Sequence, residues 1–119
     1  MFFYFYALQL IVFSNYFGQL GIGSNVDSEN TAVLVDLSKV KVNGDYPILA
    51  ESSAMRSVIL TASGKVFMFG YIYAEKANVT RPEEFVFNDI AAKIISASVR
   101  PHFLVLATRR DVYEYVCKV

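Results

Sequence analysis

Few side chains in this sequence are of a type that performs chemistry. Its 119 residues hold one histidine, His102, and one cysteine, Cys117. His102 follows Pro101 at the head of an apolar run, FLVLA. It is expected to pack in a loop rather than to move protons. Cys117 ends a second apolar run with no histidine beside it to act as base, so a buried or fraying thiol is expected. One Cys makes no internal disulfide, and a Cys-rich zinc site is excluded. Gly18, Gly21 and Gly23 spell G-x-x-G-x-G. That resembles a phosphate loop only superficially, because the Lys and the helix that would close on an anion do not follow. No H-E-x-x-H, G-x-x-x-x-G-K-[ST] or G-x-S-x-G string occurs. The residues therefore predict no catalytic group, no cofactor and no metal ligand set.

Charge narrows the partners. Eleven basic and 11 acidic side chains leave a formal net charge of zero. Nucleic acid and anionic membrane surfaces both call for a basic excess, and neither is indicated. Arg109-Arg110-Asp111 falls in a predicted hairpin tip, where the expectation is a solvated turn, with a partner contact as the alternative. Asp27, Glu29 and Asp36, in the loop after Gly23, read the same way. Pro82-Glu83-Glu84 occupies the corresponding stretch of the next unit.

The hydrophobic content is 55% and the mean hydropathy +0.38, high for a soluble domain. Its densest run is MFFYFYALQLIVF, broken only by Gln9, and no charged residue precedes Asp27. Thirteen residues fall short of the ~18–20 that span a bilayer. The length suits a signal peptide, but no Lys or Arg leads it and no clear cleavage site follows. A buried strand or an unnatural chain start is the competing reading. Asn78-Val79-Thr80 is a glycosylation triplet of a kind frequent by chance. A cytoplasmic or nuclear location is favoured over a secreted one.

The elements come from an internal repeat. Ile48–Gly70 set above Ile94–Val116, at a constant offset of 46 without a gap, aligns apolar positions throughout. Ile48 meets Ile94, Leu60 meets Leu106, and Phe67 and Phe69 meet Tyr113 and Tyr115. A period of ~40–50 residues belongs to solenoids and propellers. Each copy reads as two strands and a turn: Ser57–Thr61 with Val66–Phe69, then Phe103–Ala107 with Val112–Val116. Gly64 supplies the positive φ that a tight hairpin commonly needs. Arg110 stands in its place in the second copy, so that turn must use another geometry or accept strain. No segment is a persuasive amphipathic helix; the best, Asn88–Ile94, is short. The chain is read as all-β.

Asn15-Tyr16-Phe17-Gly18-Gln19-Leu20-Gly21-Ile22-Gly23 and SVILTASGKVFMFG (Ser57–Gly70) together resemble the repeats of the regulator of chromosome condensation family. Asn15, Gly18, Gln19, Leu20, Gly21, Gly23, Gly64 and Gly70 match its motif positions. Their role is structural: glycines allow the turn, Leu20 plugs it, and Asn and Gln bond backbone groups left unpaired. After Gly70 the glycine turn is replaced by Tyr71-Ile72-Tyr73-Ala74-Glu75-Lys76-Ala77. The resemblance implies a partial β-propeller of about two to two and a half blades, not closed on its own. Residues 1–14 form the apolar start, 15–47 end one unit, 48–93 make the second and 94–119 part of a third. Since such propellers usually have seven blades, the expectation is a truncated product, an incompletely read gene or one piece of a longer chain. The implied function is a non-enzymatic protein-interaction module. The alternatives are an exchange factor or regulator for a small GTPase, and a small secreted or membrane-tethered β protein. An uncovered blade would also invite self-association.

Overall fold

The computed structural model describes residues 21–23, 34–53, 55–73 and 75–116. Seven strands follow in chain order: β1 (Pro47–Ser52), β2 (Arg56–Thr61), β3 (Val66–Gly70), β4 (Val79–Phe85), β5 (Ser96–Val99), β6 (Phe103–Ala107) and β7 (Val112–Val116). They form two antiparallel meanders, a four-stranded sheet β1-β2-β3-β4 and a three-stranded sheet β5-β6-β7. Among the described residues there is no helix, and Asn88–Ile94 is a turn followed by irregular chain. The sequence-read hairpins are β2–β3 and β6–β7. Each is extended by strands the repeat did not single out.

Local chemistry accounts for the order. β2 and β3 (RSVILT and VFMFG) are β-branched and aromatic, and every residue of both is buried. β4 (VTRPEEF) carries Pro82, which lacks an N–H and is tolerated because the strand lies at the sheet edge.

Two apolar clusters lie on opposite faces of the first sheet. On one face Ile59, Phe67 and Phe69 pack against Val35 and Val40 of the preceding segment. On the other, Val58, Leu60, Val66 and Met68 share a cluster with Ala97, Val99, Leu104 and Leu106 of the second sheet. Each fully buried aliphatic side chain contributes roughly 1.5–3 kcal/mol. The inter-sheet seam is thus the principal hydrophobic contact between the two halves.

The pairing corrects the gap-free repeat. Ile59 pairs with Phe67 in the first hairpin, and Leu106 pairs with Tyr113 in the second. Phe67 and Tyr113 are 46 positions apart, but Ile59 and Leu106 are 47. β5 and β6 therefore follow β1 and β2 at one residue more than the aligned offset. The cause is the turn. Three residues, Ala62-Ser63-Gly64, lie between Thr61 and Lys65, which are joined by Thr61 N–H to Lys65 O at 2.9 Å. Only Arg109 and Arg110 lie between Thr108 and Asp111, joined in the same way at 2.9 Å. With one residue fewer in the turn, a gap-free alignment sets the residues of β5 and β6 against residues of β1 and β2 that point to the opposite face.

Candidate functional site

The positions that organise the fold are the turns at either end of the strands and the seam between the sheets. At the β2–β3 turn Gly64 has φ +93°. A Cβ there would lie 2.8 Å from Lys93 Cγ. The turn is thus pressed against the segment joining the two sheets. Asp45 buttresses it, accepting from Ser63 N at 3.0 Å and Ser63 Oγ at 2.5 Å. Burial would raise the Asp45 carboxyl, but the bonds from Ser63, Thr61 and the backbone outweigh this and hold it below its ordinary value. Arg110 keeps a negative φ. The Thr108 hydroxyl closes that turn instead, accepting from Arg110 N at 3.3 Å and Asp111 N at 3.1 Å.

The glycine motif divides at the edge of the described residues. Asn15, Gly18, Gln19 and Leu20 lie outside them, as do residues 1–14, Asp27, Glu29 and Cys117. Gly21 packs on the ring of Phe69, where a Cβ would come within 2.7 Å of Cε2, with φ +67°. Gly23 donates its N–H to Thr80 O of β4 at 2.8 Å. Arg81 crosses over Gly23 and pairs with Asp36 at 2.8 Å. Hydrogen bonds from Ser38 and from Arg81 depress the Asp36 carboxyl. Gly70 ends β3 opposite Arg56.

Two polar groups that the sequence reading did not single out tie the sheets together. Arg56 is fully buried. Its Nε donates to Tyr71 O at 2.8 Å, and its Nη1 to Arg100 O at 3.2 Å and to Pro101 O. One guanidinium thus bridges the end of β3 to the β5–β6 turn. Glu51 Oε1 accepts from Ser98 Oγ at 2.6 Å, Val99 N at 3.1 Å and Arg100 Nη1 at 3.0 Å. Burial raises the Glu51 carboxyl, and these partners more than reverse the effect. His102 sits exposed in the β5–β6 turn, and Arg109 and Arg110 are exposed at the β6–β7 tip. Among the described residues no three His, Cys, Asp or Glu side chains converge as a metal site. Nor is any helix there long and apolar enough to cross a membrane.

The second sheet repeats the first with one face open. Strand pairing makes Val105, Ala107 and Val112 the counterparts of Val58, Leu60 and Val66, which face the neighbouring sheet. Beside them Phe103 is 39%, Val112 72% and Val116 65% exposed.

Two sheets stacked face to face, each presenting the same face onward, are the repeating arrangement of propeller blades. The solved structure of human WBSCR16 matches with a TM-score of 0.69 at 20% identity, over 87% of this chain and 27% of that one. Prp20p from Saccharomyces cerevisiae, which binds Gsp1p and histones, matches at 0.57 and 18% identity, over 86% and 27%. Both are β-propellers of the regulator of chromosome condensation type. The chain has the fold of a partial β-propeller. It spans about a quarter of the length of each of these propellers. No protein-family model and no curated protein matches the sequence.

Proposed function

We propose that the chain is a non-enzymatic protein-interaction module of the propeller type, working through exposed turns and blade surface. The observation that carries this reading is the second sheet's outward face. Phe103, Val112 and Val116 stand exposed there, on the face that the first sheet buries against its neighbour. Exposed apolar residues on one sheet face, with Glu114 among them, support a role in protein contact. Prp20p, which shares the fold, binds Gsp1p and histones, and this agrees with a protein partner.

Affinity purification of the tagged chain from its own cells tests the reading. The comparison is between the unaltered protein, a Val112→Glu/Val116→Glu variant and a Lys65→Glu/Lys93→Glu variant, all with unchanged circular dichroism. A defined partner lost with one variant carries the reading. The same recovery from all three and from a control resin sinks it. Light scattering on the same samples detects a second copy as the partner.

A second reading is contact with a small GTPase, as exchange factor or regulator. It rests on the family resemblance and on the binding of Gsp1p by Prp20p. Its test is the release of labelled guanine nucleotide from a panel of small GTPases. No acceleration for any of them removes it.

A further inference from the structure

Between the β2–β3 hairpin and the segment joining the sheets runs an open cleft of about 480 Å³. Phe85, Val86, Phe87 and Ile90 supply its apolar lining, over the buried Val66 and Ile94. Lys65 stands on the hairpin side and Lys93 on the joining segment, with Glu84 between the two elements in sequence. The stem of Lys93 fills the space over Gly64, which holds that side chain at the hairpin. Neither lysine takes part in the ion pairs of the described residues, which are Lys76–Glu83, Arg81–Asp36 and Arg100–Glu51. Ala91, Ala92 and Lys93 are exposed and belong to no strand. Their amides donate to no backbone group of the described residues.

We propose that this cleft docks a short extended peptide of a partner protein, an aliphatic or aromatic anchor flanked by acidic residues. The proposal rests on the interaction-module reading and names the partner class. Three features converge on that chemistry. The apolar lining suits one large anchor side chain, and the volume lies in the ordinary range of ligand clefts. Among the lining side chains two ammonium groups face one carboxylate, Glu84, while Asp45 behind the turn is taken up by Ser63, so the cleft wall is basic and selects acidic flanks. The free amides of Ala91 to Lys93 offer backbone partners to an extended chain lying alongside.

The test uses the whole 119-residue chain. The probe is a fluorescein-labelled Gly-Asp-Glu-Leu-Phe-Asp-Glu-Gly, compared with its Lys-for-acid counterpart by anisotropy at low salt. The acidic peptide is expected to bind about tenfold tighter than the basic one. Lys65→Glu and Lys93→Glu should each weaken it by about three- to fivefold, the scale of an exposed ion pair. The double variant should reverse the preference. A Lys65→Gln/Lys93→Gln variant keeps the test readable if charge reversal disturbs folding, and it should abolish the preference. Equal affinity for both peptides, or indifference to all these variants, overturns the proposal. A cellular partner lost with Val112→Glu/Val116→Glu but retained by Lys65→Glu/Lys93→Glu overturns the cleft while leaving the module reading in place.

Discussion

Thr108 holds in the second hairpin the place that Thr61 holds in the first. Thr61 Oγ1 accepts from Lys65 N at 3.1 Å, and Thr108 Oγ1 accepts from Asp111 N at 3.1 Å. Both residues are buried. The hydroxyl thus serves two turns of different length, one with a glycine and one without. Thr108→Val keeps the shape and strips the acceptor from two turn amides. A loss of about 1 kcal/mol is expected, read as a lower urea midpoint with unchanged slope.

The two turns answer glycine chemistry with opposite preferences. Gly64→Ala puts a Cβ against the Lys93 stem at a φ of +93°, and about 1–3 kcal/mol of destabilisation should follow. Arg110 sits at a negative φ, so Arg110→Gly gains nothing in the folded state and frees the unfolded chain. It should cost about 0.4–1 kcal/mol. If Arg110→Gly instead stabilises the protein, the short turn is strained and the account of it is wrong.

Arg56 gives the seam its polar fastening. Arg56→Met preserves an unbranched buried stem but releases the carbonyls of Tyr71, Arg100 and Pro101. A loss of about 2–4 kcal/mol is expected, on the scale of breaking a buried charged hydrogen-bond set. Amide exchange should rise first at Leu104 and Leu106, and less at Val58 and Leu60. Uniform acceleration across both sheets would mean that Arg56 does not act at the seam.

Much of this fold was legible because β2, β3, β6 and β7 are short apolar runs separated by turn residues. β1, β4 and β5 lack that signature. β4 carries Pro82 and two glutamates, and β5 is the small-residue run SASV, so neither has strong β preference. The shift from 46 to 47 was hidden for a physical reason. β2 is buried on both faces and lacks the alternation that would define its register, so a one-residue slide still set apolar upon apolar. Arg56 and Glu51 were unreadable as fasteners, since apart from Tyr71 O, 15 residues from Arg56, their partners are backbone groups and side chains 44 to 49 residues away. The alternation in VYEYV matches the open face, with Val112, Glu114 and Val116 exposed.

Acid should loosen the seam through Glu51. Its folded carboxyl lies below the ordinary 4.5, so its contribution is present above that pH. The contribution fades as pH falls from about 4.5 through the depressed value. The group is more than a third exposed, which makes the effect modest and salt-sensitive. Glu51→Gln should be less stable at pH 7 yet flatter between pH 5 and about 3 than the unaltered protein. Equal acid slopes in the two proteins would assign the transition to Asp36 or Asp45, whose carboxyls are depressed as well.

Tyr115 links β7 to the joining segment, and its phenol should titrate late. Burial, the hydrogen bond to Asp89 Oδ1 at 2.8 Å and the Asp89 charge all oppose ionisation, pushing the phenol from 10.0 to about 12. Its ring also meets Phe87 at 4.8 Å between centroids. A phenol raised in the folded state adds stability that is complete below pH 10 and lost as pH climbs through about 12. Ultraviolet titration near 295 nm should therefore show a phenolate step close to pH 12. Asp89→Asn should move that phenol down toward its ordinary value, and Tyr115→Phe should remove the late step. A late step that survives Tyr115→Phe would belong to another tyrosine, and the β7 tether would have no titration signature.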